Sequence, residues 1–362
     1  MKKLLVLCAS VSVFAVSAWA LHPNFTENRD VDYAPHPTVG NPYPIVTRAL
    51  GGIVFGDGYV DGIFRVANPL STDGSTDDAA NTWDVNDMND LSRGFGSGET
   101  FQGMCYDGKN YYGCGIIGTA SCALIQTADS GNDATTWTAV KLVLSADGNY
   151  SGCTAVAADT LVLADYNTGA LQFFSISGAD ATVAGSAIAN PNAGTFKTSC
   201  VFYYAGSLQK YFFTYMVDDN KTRRVDVFKT DGTPGGTTYA GTFCNDLPSN
   251  FVVAGHYNQK WATLTADPGK NLLVAAVNVD SVGNQANGFD AFDLTTVPTD
   301  GSATPYQQVR GGNLELPTRK NIAGLGFFTI NLTDFLAVTH GNHMAVYNMI
   351  PGAGIADWAC FD

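Results

Sequence analysis

Positive charge is scarce in this chain. Lysine and arginine together number 19 in 362 residues, against 33 aspartates and glutamates, and the net charge is −14. Nucleic acid binding requires clustered Lys and Arg to neutralise phosphates, so that class of partner is excluded. Charged residues of either sign make up 14% of the chain, well below the ~25% of an average globular protein. The acidic balance permits divalent cations or basic partners without demanding either. Histidine is rarer still, at 5. There is no C-x-x-C and no Cys/His spacing of the zinc type. G-x-S-x-G, H-E-x-x-H and a phosphate-binding loop are also missing, which removes the sequence signatures of three large hydrolase and nucleotidase classes. Past residue 16 no apolar run approaches the ~20 residues of a membrane helix.

The one sustained apolar run stands at the start. Lys2 and Lys3 are followed by Leu4 to Val16 and by Ala18-Trp19-Ala20, a small-x-small pattern. Together these read as a secretory signal peptide over 1–20, cleaved after Ala20, with too few apolar residues to span a bilayer. Cys8 lies inside the apolar run and follows Leu7, which argues against a lipoprotein site. The expected mature protein is secreted or periplasmic, and losing Lys2 and Lys3 takes its charge from −14 to −16. Seven cysteines remain: Cys105, Cys114, Cys122, Cys153, Cys200, Cys244 and Cys360. An odd number leaves at least one thiol over. Cys114 and Cys122 flank a Gly118-Thr119 turn and would face each other across a hairpin, within bridging reach. Burial is the expected state of the others.

Short strands and turns fill the rest. Glycine is frequent, at 39, and aromatic residues reach 12%. Residues 21–43 carry four prolines and read as an extended N-terminal arm. From there a unit recurs, clearest at 153–178: Val, Leu and Phe runs bounded by Asp159-Thr160 and Asn167-Thr168-Gly169. Copies of its second and third strands stand at 51–68, 111–128, 161–176, 211–230, 272–294 and 335–349. Leading strands precede them at 101, 153, 200, 261 and 322; fourth strands follow at 136, 182, 237 and 303. Four antiparallel strands per unit, repeated every 50 to 65 residues or so, describe an all-β propeller over 44–362. Six blades are expected; a seventh would have to come from 70–100. Pro44–Ala49 is the candidate leading strand of the first copy, and either that segment or the C-terminal ADWACFD would close the ring.

The blade text LVLADYNTGALQFFSI, and more loosely FLAVTHGNHMAVYNM, resembles the blades of NHL, YncE and regucalcin-type propellers. That superfold hosts hydrolases, lyases and binding proteins alike. In regucalcin-type lactonases a Glu, two Asn and an Asp hold a divalent metal at the channel mouth. Glu99, just before the leading strand of the second copy, would supply the channel Glu; the matching Asn and Asp positions are not found by spacing, and a metal there would draw on Asp165 or Asp280, and His340.

Candidate sites gather on the rim formed by the loops between second and third strands. Asp57, Asp165, Asp218 and Asp280 each end a second strand, as a carboxylate ring or as Asx-turns. His340 and His343 flank a Gly-Asn turn, which would oppose two imidazoles and offer a place to zinc. Glu99, His256, Tyr257 and Arg319 complete the rim residues. Asp84, Asn86 and Asp87 echo calcium-loop ligands without the Gly and distal Glu of an EF-hand. The function these features favour is an exported, non-enzymatic binding or surface-assembly module taking a protein or glycan on its rim. The rival is a lactonase-type hydrolase with calcium or zinc. Oligomeric state is not legible.

Overall fold

The structure is a computed structural model, which describes residues 24–32, 45–47, 53–56, 62–66, 84–87, 103–115, 121–126, 138–146, 148–192, 196–218, 223–245, 263–277, 288–310, 322–330, 333–340 and 343–350. All elements among the described residues are strands. After β1 (Asn24–Asp32), the first sheet takes β2 (Ile45–Thr47), β3 (Ile53–Gly56), β4 (Gly62–Val66) and β5 (Asp84–Asp87). The second takes β6 (Gly103–Tyr106), β7 (Tyr111–Gly115), β8 (Ser121–Gln126) and β9 (Thr138–Lys141). The third takes β10 (Val143–Leu144), β11 (Tyr150–Ala157), β12 (Thr160–Asp165), β13 (Leu171–Ser177) and β14 (Asp180–Val183). The fourth is β15 (Phe196–Ala205), β16 (Lys210–Asp218), β17 (Arg223–Thr230) and β18 (Thr238–Cys244). The fifth is β19 (Leu264–Asp267), β20 (Leu272–Val277), β21 (Gly288–Asp293) and β22 (Gln307–Arg310). β23 (Ile322–Ile330), β24 (Thr333–His340) and β25 (His343–Ile350) form the last, and β1 completes it.

Within each sheet the strands follow one another as antiparallel neighbours, the up-and-down order of a propeller blade. The leading strands lie innermost and touch in sequence: β2 beside β6, β6 beside β11, β11 beside β15, β15 beside β19, β19 beside β23, and β23 back beside β2. The chain is therefore a β-propeller of four-stranded blades. The third blade carries an extra strand. The run Thr136–Leu144, expected as one fourth strand, splits so that β9 ends the second sheet while β10 pairs parallel with β14 in the third.

Both faces of a blade are buried, which explains the unbroken apolar runs of the second strands. In β12, Leu161 and Leu163 enter the core shared with the second sheet, while Val162 and Ala164 enter the core shared with the fourth. β20 does the same: Leu273 and Ala275 face the fourth sheet, and Leu272, Val274 and Ala276 face the last. Edge-on aromatic pairs join successive blades, Phe173 with Phe212, Phe243 with Phe292, and Phe289 with Tyr347. Such pairs add about 0.5–1.5 kcal/mol each beyond the area they bury. Segment 299–303 covers the outer edge of β18: Thr242 N–H donates to Thr299 O and Gly301 N–H returns a bond to Thr242 O. Gly241 sits in that contact at φ +145, and a Cβ there would fall 2.0 Å from Thr299 O.

Ring closure differs from the sequence expectation. Residues 24–32, part of the segment read as an arm, pair with β25 from Asn24↔Ile350 to Asp32↔His343. Neither candidate for closure takes that place: Ile45–Thr47 is the leading strand of the first sheet, and 356–362 lies outside the described residues. NFTENRDVD holds only Phe25 and Val31 as apolar residues, so no strand pattern marked it. An outermost strand has one free edge and adds backbone ladder more than apolar surface, so its sequence is under little constraint. Residues 84–87, read as part of a solvated connection or of a calcium loop, are in a strand. These residues form β5, paired with β4, rather than the turning loop that a site of that kind wraps around its ion.

Candidate functional site

Small residues set how closely the inner strands approach the axis. A Cβ added to Gly152 would fall 2.8 Å from the Val201 amide nitrogen, and one on Gly103 would fall 3.2 Å from the Gly152 Cα. β6, β11 and β15 thus meet backbone to backbone. Beside this contact the inner strands leave an axial cavity of about 220 Å³, walled by β6, β11, β15, β19 with the adjoining Thr263, and β23.

An inner strand spends one edge on its own blade and turns the other toward its neighbour, where the backbone groups need partners. β11 supplies two of them to β15. Ser151 Oγ donates to Thr198 O at 2.6 Å, and Tyr203 N–H donates to Thr154 Oγ1 at 3.0 Å. The remaining wall includes Thr263 and Thr265, Cys105, Cys153 and Cys200, and Tyr106 and Phe202. Every described residue in that wall is uncharged. Cys153 Sγ donates to Tyr112 O at 3.7 Å, and Cys200 Sγ to Leu264 O at 3.9 Å. Burial pushes the Cys200 thiol above its ordinary 9.0, with Leu264 and Thr263 pulling back in part, so it stays protonated at neutral pH.

Polar groups at the two ends of the ring tie blades together. At the end holding the first hairpins, Asp107 Oδ2 accepts from Asp159 N–H at 2.9 Å, Tyr204 Oη donates to Asn271 Oδ1 at 2.8 Å, and Lys270 pairs with Asp334 at 2.5 Å. At the other end Thr198 N–H donates to Tyr166 O at 3.0 Å. Beneath that end lies a buried pair, Arg224 Nη2 with Asp226 Oδ2 at 2.8 Å; Asn190 Nδ2 and Thr242 Oγ1 donate to the same carboxylate.

Of the rim residues expected from sequence, Asp165 is placed and its carboxylate is taken up locally. Oδ1 accepts from the N–H of Asn167 and Thr168 and from Thr168 Oγ1, and Oδ2 accepts from Asn149 N–H. This is the Asx-turn alternative. Asp218 closes β16 opposite Phe196, and His340 is the register partner of His343, as their spacing around Gly341-Asn342 implied. Cys114 and Cys122 are register partners too. Glu99, His256, Tyr257, Asp280 and Arg319 lie outside the described residues, as do Asp57 and 71–83. Among the described residues no three His, Cys, Asp or Glu side chains gather as metal ligands, and no helix is long and apolar enough to cross a membrane.

Sequence reading passed over Thr154, Thr263 and the axial thiols. In the sequence the leading strands carry GMC, GCT and SCV, each with a small residue one or two positions before a cysteine.

No family model matches the chain, and none of the curated proteins matches it. Solved structures similar to it include a protein of unknown function from Bacteroides thetaiotaomicron, 16% identical over 91% of this chain and 73% of that one, with a TM-score of 0.49. A Hadza microbial sialidase is 13% identical over 87% and 66%, at 0.49. YCF48 bound to a D1 peptide is 13% identical over 90% and 99%, at 0.43. The fold assignment rests on the blade order and ring contacts above.

Proposed function

We propose that the protein is an exported six-bladed propeller, each of the six sheets being one blade, that binds an uncharged ligand at its axial cavity and adjoining rim without chemistry on it. The observation that carries this reading is the uncharged wall of the cavity. Hydrolysis would require a general base or a metal-bound water within hydrogen-bond reach of the substrate. The described wall offers threonine, cysteine, backbone and aromatic groups instead. These suit a peptide backbone or a sugar; a charged group entering there would lose its hydration without a counter-ion. The order of Lys2, Lys3, the apolar run and Ala18-Trp19-Ala20 supports export.

The test combines ligand-observed NMR on a library of uncharged peptides and oligosaccharides with a chromogenic lactone assay in calcium or zinc. Ala155 lines the cavity, so Ala155→Phe fills it. Binding by the wild type, lost in Ala155→Phe, with no metal-dependent turnover, supports the proposal. Turnover that requires calcium or zinc would replace it with the hydrolase reading. Protein exported from a bacterial host should begin at Leu21 on N-terminal sequencing.

A further inference from the structure

Three cysteines of two blades share one apolar core: Cys105 on β6, Cys114 on β7 and Cys153 on β11, all buried. Gly103 stands between two of them: the place its Cβ would occupy is 3.2 Å from Cys114 Sγ and 3.2 Å from the Cys153 amide nitrogen. Cys153 Sγ reaches over β7 to Tyr112 O, two residues before Cys114 on the same strand. Cys153 also lines the axial cavity, whereas Cys114 lies behind it.

We infer that Cys114 and Cys153 are a redox-active pair that forms a disulfide between the second and third blades when a small organic disulfide enters the cavity. The Cys153 thiol loses its proton and attacks one sulfur of the oxidant, expelling one thiolate and leaving a mixed disulfide on Cys153. The Cys114 thiolate then attacks Cys153 Sγ and expels the second half of the oxidant. Two protein thiols are oxidised to one disulfide, and one organic disulfide is reduced to two thiols. The bond joins the second and third blades covalently, so it acts as a clasp on the ring. Cysteine in an exported chain encounters such oxidants as a matter of compartment.

The experiment uses the reduced mature protein and 2-hydroxyethyl disulfide, with alkylation, non-reducing digestion and mass spectrometry. A peptide pair linked Cys114 to Cys153 is expected, with two equivalents of 2-mercaptoethanol released and a raised Tm that dithiothreitol reverses. Cys114→Ser should stop the reaction at the mixed disulfide on Cys153, and Cys153→Ser should abolish both products. Because the linked peptide is read in the wild type, the result does not depend on either variant folding. No linked peptide, a link from Cys153 to Cys105, or a link from Cys114 to Cys122 would each overturn the assignment.

Discussion

Gly152 of β11 lies against Val201 of β15 with no space for a side chain, its absent Cβ falling 2.8 Å from the Val201 nitrogen. The contact joins the leading strands of two blades beside the axial cavity, so it governs how tightly the ring can draw in. Gly152→Ala must push β11 from β15. It should cost about 1–3 kcal/mol, as overpacking of a tight interior does. Gly235 is the control, since nothing lies within 4 Å of its Cβ position. Gly235→Ala should be neutral or gain up to about 1 kcal/mol through the unfolded chain. Urea midpoints of the two variants check both expectations.

The Arg224–Asp226 pair, with side chains 10% and 0% exposed, predicts a strongly non-additive response to mutation. Arg224→Met strands a buried carboxylate to which Asn190 and Thr242 donate hydrogen bonds but no counter-charge, a loss of about 3–5 kcal/mol. Replacing Asp226 by Leu in the same chain removes the stranded charge, so the double variant should be more stable than Arg224→Met alone. Equilibrium denaturation of the two single variants and the double gives the coupling.

Alkaline pH should weaken the fold over a defined window. Burial pushes the Tyr215 phenol from 10.0 up to about 12, and the Cys244 thiol from 9.0 up to about 12. The unfolded chain gives up these protons near pH 9 to 10 and the folded chain holds them to about pH 12. Their contribution is therefore complete below about pH 9 and declines as pH rises toward 12. Tyr215→Phe should lower stability at neutral pH by about 1 kcal/mol, through its lost bond to Ala276 O, and flatten the alkaline decline. Denaturation at a series of pH values between 8 and 12 reads both effects.

The architecture was legible where packing writes itself into sequence. Runs such as LVLA at 161–164 and LLVAAV at 272–277 are apolar at every position because each face of a blade meets another blade. The hairpins were legible from Asp159, which takes φ 57 at its turn, and from Gly169 at φ +66. β1 was not, because an edge strand of polar residues has no apolar period to show. The split of Thr136–Leu144 between two sheets escaped for a related reason, since propensity marks a strand but not the sheet it joins. The axial wall was harder still. Thr154 and Ser151 serve a neighbouring strand, Tyr203 N–H and Thr198 O being 49 and 47 residues away, and no local motif encodes that reach. Asp165 was open to both readings and is a turn residue, because an Asp at the end of a strand serves equally well for either.

The account depends on β1 closing the ring against β25, which makes the N-terminal segment the outermost strand of the last blade. Thr26 and Asn348 are register partners, whereas Thr26 and Ala345 are not. Cysteines placed at each pair, followed by mild oxidation and peptide mass spectrometry, give the most direct measurement. A disulfide between positions 26 and 348 and none between 26 and 345 is the predicted result. Linkage of neither pair in folded protein, or of both equally, would contradict closure by the N-terminal strand.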